Sequence, residues 1–378
     1  MIEAAHNLLE TVRQSVRTEL APLTPSIDRE GLYPDAFMGA LGRVGGYAAA
    51  IEPSDGGLGL DLSWQIAVTS LVAEECGSTA FLVWCQSTCA WYLSHTSNTA
   101  LRSRYLEAVA SGTLRAGTGM SNPVKHLAGI EKIRLTAYRT ADGYRISGSL
   151  PWVSNAGQGH LLIVAAQVPD EGYVMLAIDA DTAGLTLHPC PEFSALEGTR
   201  TLNVRFDQVN VPHRDVLAEP GQFKDFIQRI KPGFILGQTG MGLGLIKASL
   251  KTIRESNVSH SHVNVFLDDT IEELTHEHEM LNDTVRTLAL DAQEGHARLL
   301  PVLEARLKTS ELALRATQSA MLHAGAKAYL MRHPAQRRLR EAMFVAIVTP
   351  ALKHLRKEIH DLQQAATHRE TAITGVSV

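Results

Sequence analysis

The sequence predicts an α+β protein, mostly α, in three parts: an N-terminal helical domain, a small β-domain of barrel or sandwich type, and a C-terminal four-helix bundle. Three observations carry this. Apolar residues recur at helical spacing up to about residue 113, alternate with polar ones from about residue 115 to 212, and return to helical spacing from Phe223 onward. The expected domains are residues 1–113, 114–222 and 223–366, followed by a polar tail at 367–378.

In the first part, Leu8, Leu9, Val12, Val16 and Leu20 form an apolar stripe at spacings of one, three or four. A turn-rich connection, EPSDGGLGLD, runs from Glu52 to Asp61. The long stretch from Trp64 to Tyr92 reads as helix by its length and its Ala, Leu and Glu content. Ser97–Gly112 is a further helix, with Asn98 or Thr99 as its cap and Gly112 as its stop. In the second part, KIRLTAYRTADGYRISG alternates about Asp142-Gly143, a strong hairpin signal. HLLIVAAQV, YVMLAID, LTLHP and TLNVRFDQVNVP read as further strands, ending near Val211-Pro212. In the third part the helical periods run over 232–258, 268–296, 301–330 and 336–365.

A length of 378 residues exceeds one ordinary core and fits two or three domains. Hydrophobic residues at 45% and charged residues at 20% belong to a globular composition. A net charge of −5 implies no polybasic surface, so nucleic acid and anionic membrane are poor partners. The N-terminus lacks the apolar core of a signal peptide, and no apolar run is long enough to span a bilayer. A cytoplasmic protein is expected, with Cys76, Cys85, Cys89 and Cys190 as reduced, small hydrophobes. His260 with His262 and His276 with His278 stand two apart, do not share a helix face, and imply no metal site. The DDTIEE run at Asp268–Glu273 reads as a helix start.

Local sequence resembles the acyl-CoA dehydrogenase superfamily over nearly the whole chain. EPSDGGLGLD is similar to the family's PExxGGxGL turn, and VAEECGSTAF follows it at the usual distance. GMSNP (Gly119–Pro123) stands at the family's TEP segment, and LPWVSNAG (Leu150–Gly157) resembles its KxWITNA segment. HPAQRRLREA (His333–Ala342) resembles YPVERLxRDA, with Arg337, Arg340 and Glu341 keeping charged positions that look structural.

The resemblance implies a flavin-dependent oxidoreductase that oxidises the CH–CH bond of an acyl thioester. FAD, or alternatively FMN, would meet Met120 and Ser121 at the pyrimidine side of its ring. Trp152 would pack on the isoalloxazine, and the Ser154 hydroxyl would bond flavin N5 or O4. His260 stands where the family has the arginine that reaches the neighbouring subunit's FAD pyrophosphate, and Gly325 remains from the family's QxxGGxG segment. Lys231 stands at a family arginine that helps hold coenzyme A.

Two positions depart from the pattern. The usual catalytic glutamate corresponds to Thr349, and the alternative position on the first helix of the last domain is near Phe234. Neither side chain is a general base at neutral pH. Glu341 and Glu358 are carboxylates nearby in sequence. Three readings follow: an acyl-CoA dehydrogenase, a two-component flavin monooxygenase on the same fold, and a non-catalytic subunit. The implied partners are a small-molecule substrate such as an acyl-CoA, and an electron-transfer protein or a flavin reductase. The implied assembly is a homodimer or homotetramer.

Overall fold

The computed structural model describes residues 2–374. The first part holds α1 (Ile2–Ser15), α2 (Thr24–Glu30), α3 (Asp35–Arg43), α4 (Leu62–Glu75), α5 (Gly77–His95) and α6 (Thr99–Ala110). Leu8, Val12, Val16 and Leu20 are buried, so the sequence stripe faces the core. The Asp61 carboxylate caps α4 by accepting from the Ser63 N–H at 2.8 Å. The Asn98 side chain caps α6 by accepting from the Leu101 N–H at 3.1 Å. Gly112 stops that element at φ +70°.

The stretch expected as one helix over 64–92 is two. Cys76 is extended between α4 and α5 (φ −147°, ψ 112°). The break lets the buried Glu341 carboxyl reach the positive end of α5: a Cβ on Gly77 would stand 2.8 Å from Glu341 Cδ. Every residue of α5 from Gly77 to Leu93 is buried. A helix buried all round has no amphipathic stripe and belongs at the centre of the molecule. It touches α4 and α6 on one side, the β-domain on another, and the C-terminal helices on a third.

The middle part holds β1 (Ala116–Thr118), α7 (Ser121–Leu127), β2 (Leu135–Arg139), β3 (Gly143–Val153), β4 (Leu161–Val168), β5 (Gly172–Asp179), β6 (Leu185–Pro189), β7 (Leu202–Pro212) and β8 (Val216–Ala218). They form one sheet in the order β6-β7-β3-β2-β4-β5-β8, with β1 parallel to β4. Leu135, Tyr144, Ile146, Val164, Leu176 and Phe206 belong to its own apolar core. Asp142-Gly143 closes the β2–β3 hairpin as expected: the Thr140 N–H donates to the Gly143 carbonyl at 2.9 Å. The strand β8 lies beyond the expected end at Pro212. Ser121–Leu127 is a short helix within this otherwise β part.

The last part holds α8 (Pro220–Gly237), α9 (Thr239–Asn264), α10 (Ile271–Gln293), α11 (Leu299–Ala324), α12 (Pro334–Ile347) and α13 (Leu352–Thr374). The bundle is built around α9 and α11. Its first helix starts at Pro220, earlier than the period from 232 suggests, because Glu219 and Gln222 make a capping box. Thr270 and Glu273 make another at the start of α10, where the acidic run was expected to open a helix. The period expected over 301–330 ends at Ala324, and Gly325 (φ +60°) stops it. The period expected over 336–365 breaks at Val348–Ala351, where Pro350 supplies no N–H to continue the helix. The expected tail from residue 367 is helical to Thr374, and its residues 375–378 lie outside the described residues. Among the described residues, no helix is long and apolar enough to cross a membrane.

Two tryptophans of α5 lock onto two glycines of α8. Trp91 Nε1 donates to the Ile230 carbonyl and Trp84 Nε1 to the Phe234 carbonyl, both at 3.2 Å. A Cβ on Gly233 would lie 2.4 Å from Trp91 Cε2, and one on Gly237 would lie 3.0 Å from Trp84 Cδ1. The hydrogen bonds keep the indoles from yielding, so Gly233→Ala is expected to destabilise the protein by about 1–3 kcal/mol. Urea denaturation of the variant beside the parent chain measures it.

Candidate active site

A β-bulge builds the site. Between Leu150 and Val153 strand β3 advances three residues while β7 advances two, from Val204 to Leu202. The extra residue turns Trp152 into the left-handed region (φ 57°) and leaves its side chain 60% exposed. Ser154 follows, with its hydroxyl 2.6 Å from Thr201 Oγ1, which is 2.7 Å from Thr199 Oγ1.

Asn155 holds this turn in place. Its own φ is 55°, a conformation asparagine tolerates better than most residues. Its side chain donates to the Ala116 carbonyl (2.8 Å) and to Gln86 Oε1 (3.2 Å), and accepts from Tyr33 Oη (2.7 Å). Gln86 donates in turn to the carbonyls of Val109 and Leu114, both at 2.8 Å, and accepts from the Ala116 N–H at 2.9 Å. Gly117 permits the close approach: a Cβ there would lie 2.5 Å from the Ser154 carbonyl oxygen.

Trp152 and Ser154 face a cleft of about 910 Å³ that Ser121, Phe234 and Thr349 also line. Thus the two ring-contact segments and both departure positions meet in one place. Thr349 Oγ1 stands 2.8 Å from Ser121 Oγ. Thr349 is held from behind: Gln238 Nε2 donates to its carbonyl at 2.9 Å, and Arg306 Nε donates to Gln238 Oε1 at 2.9 Å. Arg306 also donates to the Val345 carbonyl (2.7 Å) and to Ser310 Oγ. Complete burial pulls its guanidinium down to about 10.

Of the other expected residues, Met120 is buried beside the cleft without lining it. His260 is exposed near the end of α9, with Ser259 Oγ 2.8 Å from its Nδ1. Gly325 ends α11. The two helix ends adjoin, since Ser256 Oγ donates to the His323 carbonyl at 2.5 Å, but neither His260 nor Gly325 lines the cleft. Lys231 forms an ion pair with Glu358 between α8 and α13. That pair occupies both the expected coenzyme A contact and one nearby carboxylate. Glu341 is buried against Gly77 and pairs with Arg337 at 3.4 Å, away from the cleft. Burial raises its pKa, while Arg337 and Arg338 oppose the rise.

The carboxylate that does line the cleft is Glu131, which accepts from Lys125 Nζ at 3.0 Å and from Asn122 Nδ2 at 2.7 Å. His354, in the first turn of α13, lines the cleft as well, and its Nδ1 accepts from the Ala351 N–H at 3.4 Å. Sequence reasoning missed Gln86, Asn155, Arg306 and His354. Only Asn155 had a signal, as the residue after Ser154 in the matched motif. Among the described residues, no group of three or more His, Cys, Asp and Glu could hold a metal ion.

Known proteins resemble the chain in sequence and in fold. Residues 3–113 match the family model of the acyl-CoA dehydrogenase N-terminal domain. A probable acyl-CoA dehydrogenase of Bacillus subtilis is 26% identical over 355 residues, spanning 89% of this chain and 92% of the relative. The butyryl-CoA dehydrogenase of Megasphaera elsdenii shares the fold with a TM-score of 0.86 at 20% identity, over 96% of this chain and 99% of that one. A dibenzothiophene monooxygenase from Paenibacillus sp. A11-2 shares it with a TM-score of 0.80 at 20% identity, over 94% and 96%. The chain is thus similar to acyl-CoA dehydrogenases in its N-terminal domain, in sequence along most of its length, and in fold.

Two outcomes are expected. Asn155→Ala would strand the partners of three buried hydrogen bonds and lower stability by about 2–3 kcal/mol, read by urea denaturation. The second concerns pH. Burial lowers the pKa values of His95, His160 and His354 below the ordinary 6.5. The unfolded chain therefore binds more protons as pH falls through that value. Stability from these neutral histidines is fully present above pH 6.5 and is lost as pH falls toward their folded values. The urea midpoint should be lower in mildly acidic than in neutral buffer, and by less in His160→Gln.

Proposed function

We propose that the chain is a flavin-dependent oxidoreductase whose isoalloxazine site is the Trp152–Ser154 end of the cleft. The meeting of Ser121, Trp152, Ser154 and Thr349 in one cavity of about 910 Å³ supports this most directly. The residues fit the group: a broad aromatic face is aimed outward by a bulge, with a hydroxyl donor two residues on. Flavin, when bound, supplies a two-electron acceptor. Trp152 excludes water from one face, Ser154 donates a hydrogen bond where charge develops, and Ser121 contributes a second hydroxyl. Whether FAD or FMN is held turns on the dinucleotide end. His260 and Gly325 sit near two adjoining helix ends and neither lines the cleft, so they would serve a flavin of a second copy. Exposed Val258, Phe266, Tyr329 and Met331 on the segments around these helix ends favour such a homo-oligomer.

The reaction we favour is dehydrogenation of an acyl thioester, with electrons leaving through a partner protein. One observation favours a second reading. Thr349 and Phe234 offer no carboxylate, Glu341 and Glu358 are tied elsewhere, and Glu131 is held by Lys125 and Asn122. Monooxygenation with reduced flavin from a reductase needs no α-proton base. The dibenzothiophene monooxygenase that shares the fold has also been solved with FMN bound.

The protein should purify with flavin, identified by chromatography after denaturation. Anaerobic addition of a panel of acyl-CoAs should bleach the visible flavin band, and Ser154→Ala should slow this about 10²-fold. Oxygen uptake with supplied reduced flavin, without bleaching by any thioester, would transfer the assignment to the monooxygenase. A chain that holds neither FAD nor FMN would sink both.

A further inference from the structure

The inner wall of the cleft is made of aromatic rings from three helices. Phe81 and Trp84 of α5, Phe234 of α8 and Phe344 of α12 all line it. Phe81 stacks on Trp84 with centroids 5.4 Å apart and planes 12° apart. Phe344 meets Phe81 edge-on at 4.7 Å, and Phe234 meets Trp84 edge-on at 5.2 Å. Such offset and T-shaped contacts are the favoured geometries between π-systems, and they extend naturally to one more ring.

The wall is both rigid and dry. The single polar atom of the Trp84 ring is already satisfied, because Nε1 donates to the Phe234 carbonyl at 3.2 Å. The indole, only 3% exposed, therefore shows the cleft nothing but apolar ring atoms. Gly237 lets α8 close on that ring, since any Cβ there would press on it at 3.0 Å. A ligand meeting this wall pays little to order it, which is the condition under which ring complementarity appears as affinity. Cys85, which also lines the wall, is buried, and burial pushes its thiol well up, so it adds no charge. Charge is confined to other lining positions: Lys125 with Glu131, Lys353, and Arg340, which is held by Asp28 at 2.7 Å.

We propose that Phe81, Trp84, Phe234 and Phe344 form a substrate-selecting box, and that the substrate of this protein carries a flat aromatic ring next to the carbons or heteroatom that react. This rests on the reading of the cleft as the flavin and substrate site. It goes beyond that reading by naming a substrate class, and it holds for either reaction. A saturated ring or chain of equal carbon count fills the same volume but cannot offer a π-edge or π-face to four fixed rings. The polar part of the substrate would lie toward Thr349, whose hydroxyl can donate to a carbonyl or ring heteroatom while Ser121 turns to the flavin.

The test uses the full-length, flavin-loaded protein and two matched pairs of ligands under anaerobic conditions. One pair is 3-phenylpropanoyl-CoA and 3-cyclohexylpropanoyl-CoA. The other is benzyl alcohol and cyclohexylmethanol, both uncharged. Isothermal titration calorimetry reads binding whether or not turnover follows. The aromatic member of at least one pair should bind about tenfold more tightly than its saturated partner. Phe344→Leu and Phe234→Leu should each bring that ratio close to one, with thermal unfolding showing that the variants remain folded. Equal affinity within both pairs, binding of neither pair to protein that retains its flavin, or an unchanged ratio in both variants overturns the proposal. Bleaching by 3-cyclohexylpropanoyl-CoA without ring preference would overturn the box and leave the oxidoreductase reading in place. Failure to hold flavin would instead fall on that reading.

Discussion

The site depends on the buried amide pair of Gln86 and Asn155. One lies on the central helix α5, the other at the end of the bulged strand β3. Between them they join the carbonyls of Val109 and Leu114 below α6, both backbone groups of Ala116 entering the sheet, and Tyr33 of the N-terminal part. Each bond alone has modest net worth. All but the bond to Leu114 are buried, so breaking one of these leaves a desolvated partner. The network therefore sets where the sheet meets the helices, and with it where Trp152 and Ser154 point.

A second buried network does the same from the opposite wall. Among the described residues Arg306 has no carboxylate partner, and its donors instead go to Gln238, Ser310 and the Val345 carbonyl. Gln238 relays the constraint to the Thr349 carbonyl. A lone buried cation is costly, and it persists here because its hydrogen bonds are met. It fixes the break between α12 and α13, so that Thr349 reaches Ser121 instead of continuing a helix. The cleft thus lies between two rigid supports, one amide and one guanidinium, neither of which touches the cavity.

The order of elements was legible in the sequence because periodicity changes twice, and the hairpin at Asp142-Gly143 and the cap at Asn98 are local signals. The breaks were harder to see. Cys76 interrupts an apolar stretch that would continue as helix by propensity alone, and a tertiary partner, Glu341 at the start of α5, decides it. The break beside Thr349 has a local cause in Pro350, and Gln238 then fixes where Thr349 sits. Ser121, Trp152 and Ser154 were legible as site residues because they sit in short motifs. Gln86, Arg306 and His354 were not. A buried glutamine in a helix rich in apolar residues, serine and threonine, an arginine in a helix with several charges and a histidine among lysines carry no local signature. Their roles come from residues tens to hundreds of positions away.

The same distinction explains what the chain has kept and what it has changed. The supports that place a ring face and a hydroxyl remain complete. The two positions that would bear a carboxylate now bear a hydroxyl and an aromatic ring. Neither substitution leaves a defect: Thr349 finds a partner in Ser121, and Phe234 packs edge-on against Trp84. A carboxylate at position 234 would stand beside an indole whose one donor is already used, in a wall with no cation. Such a site would push its pKa up and disfavour the ionised form. At position 234, therefore, the aromatic wall and the absent carboxylate are one feature of the cleft, since a wall that apolar is no place for an acid that must ionise.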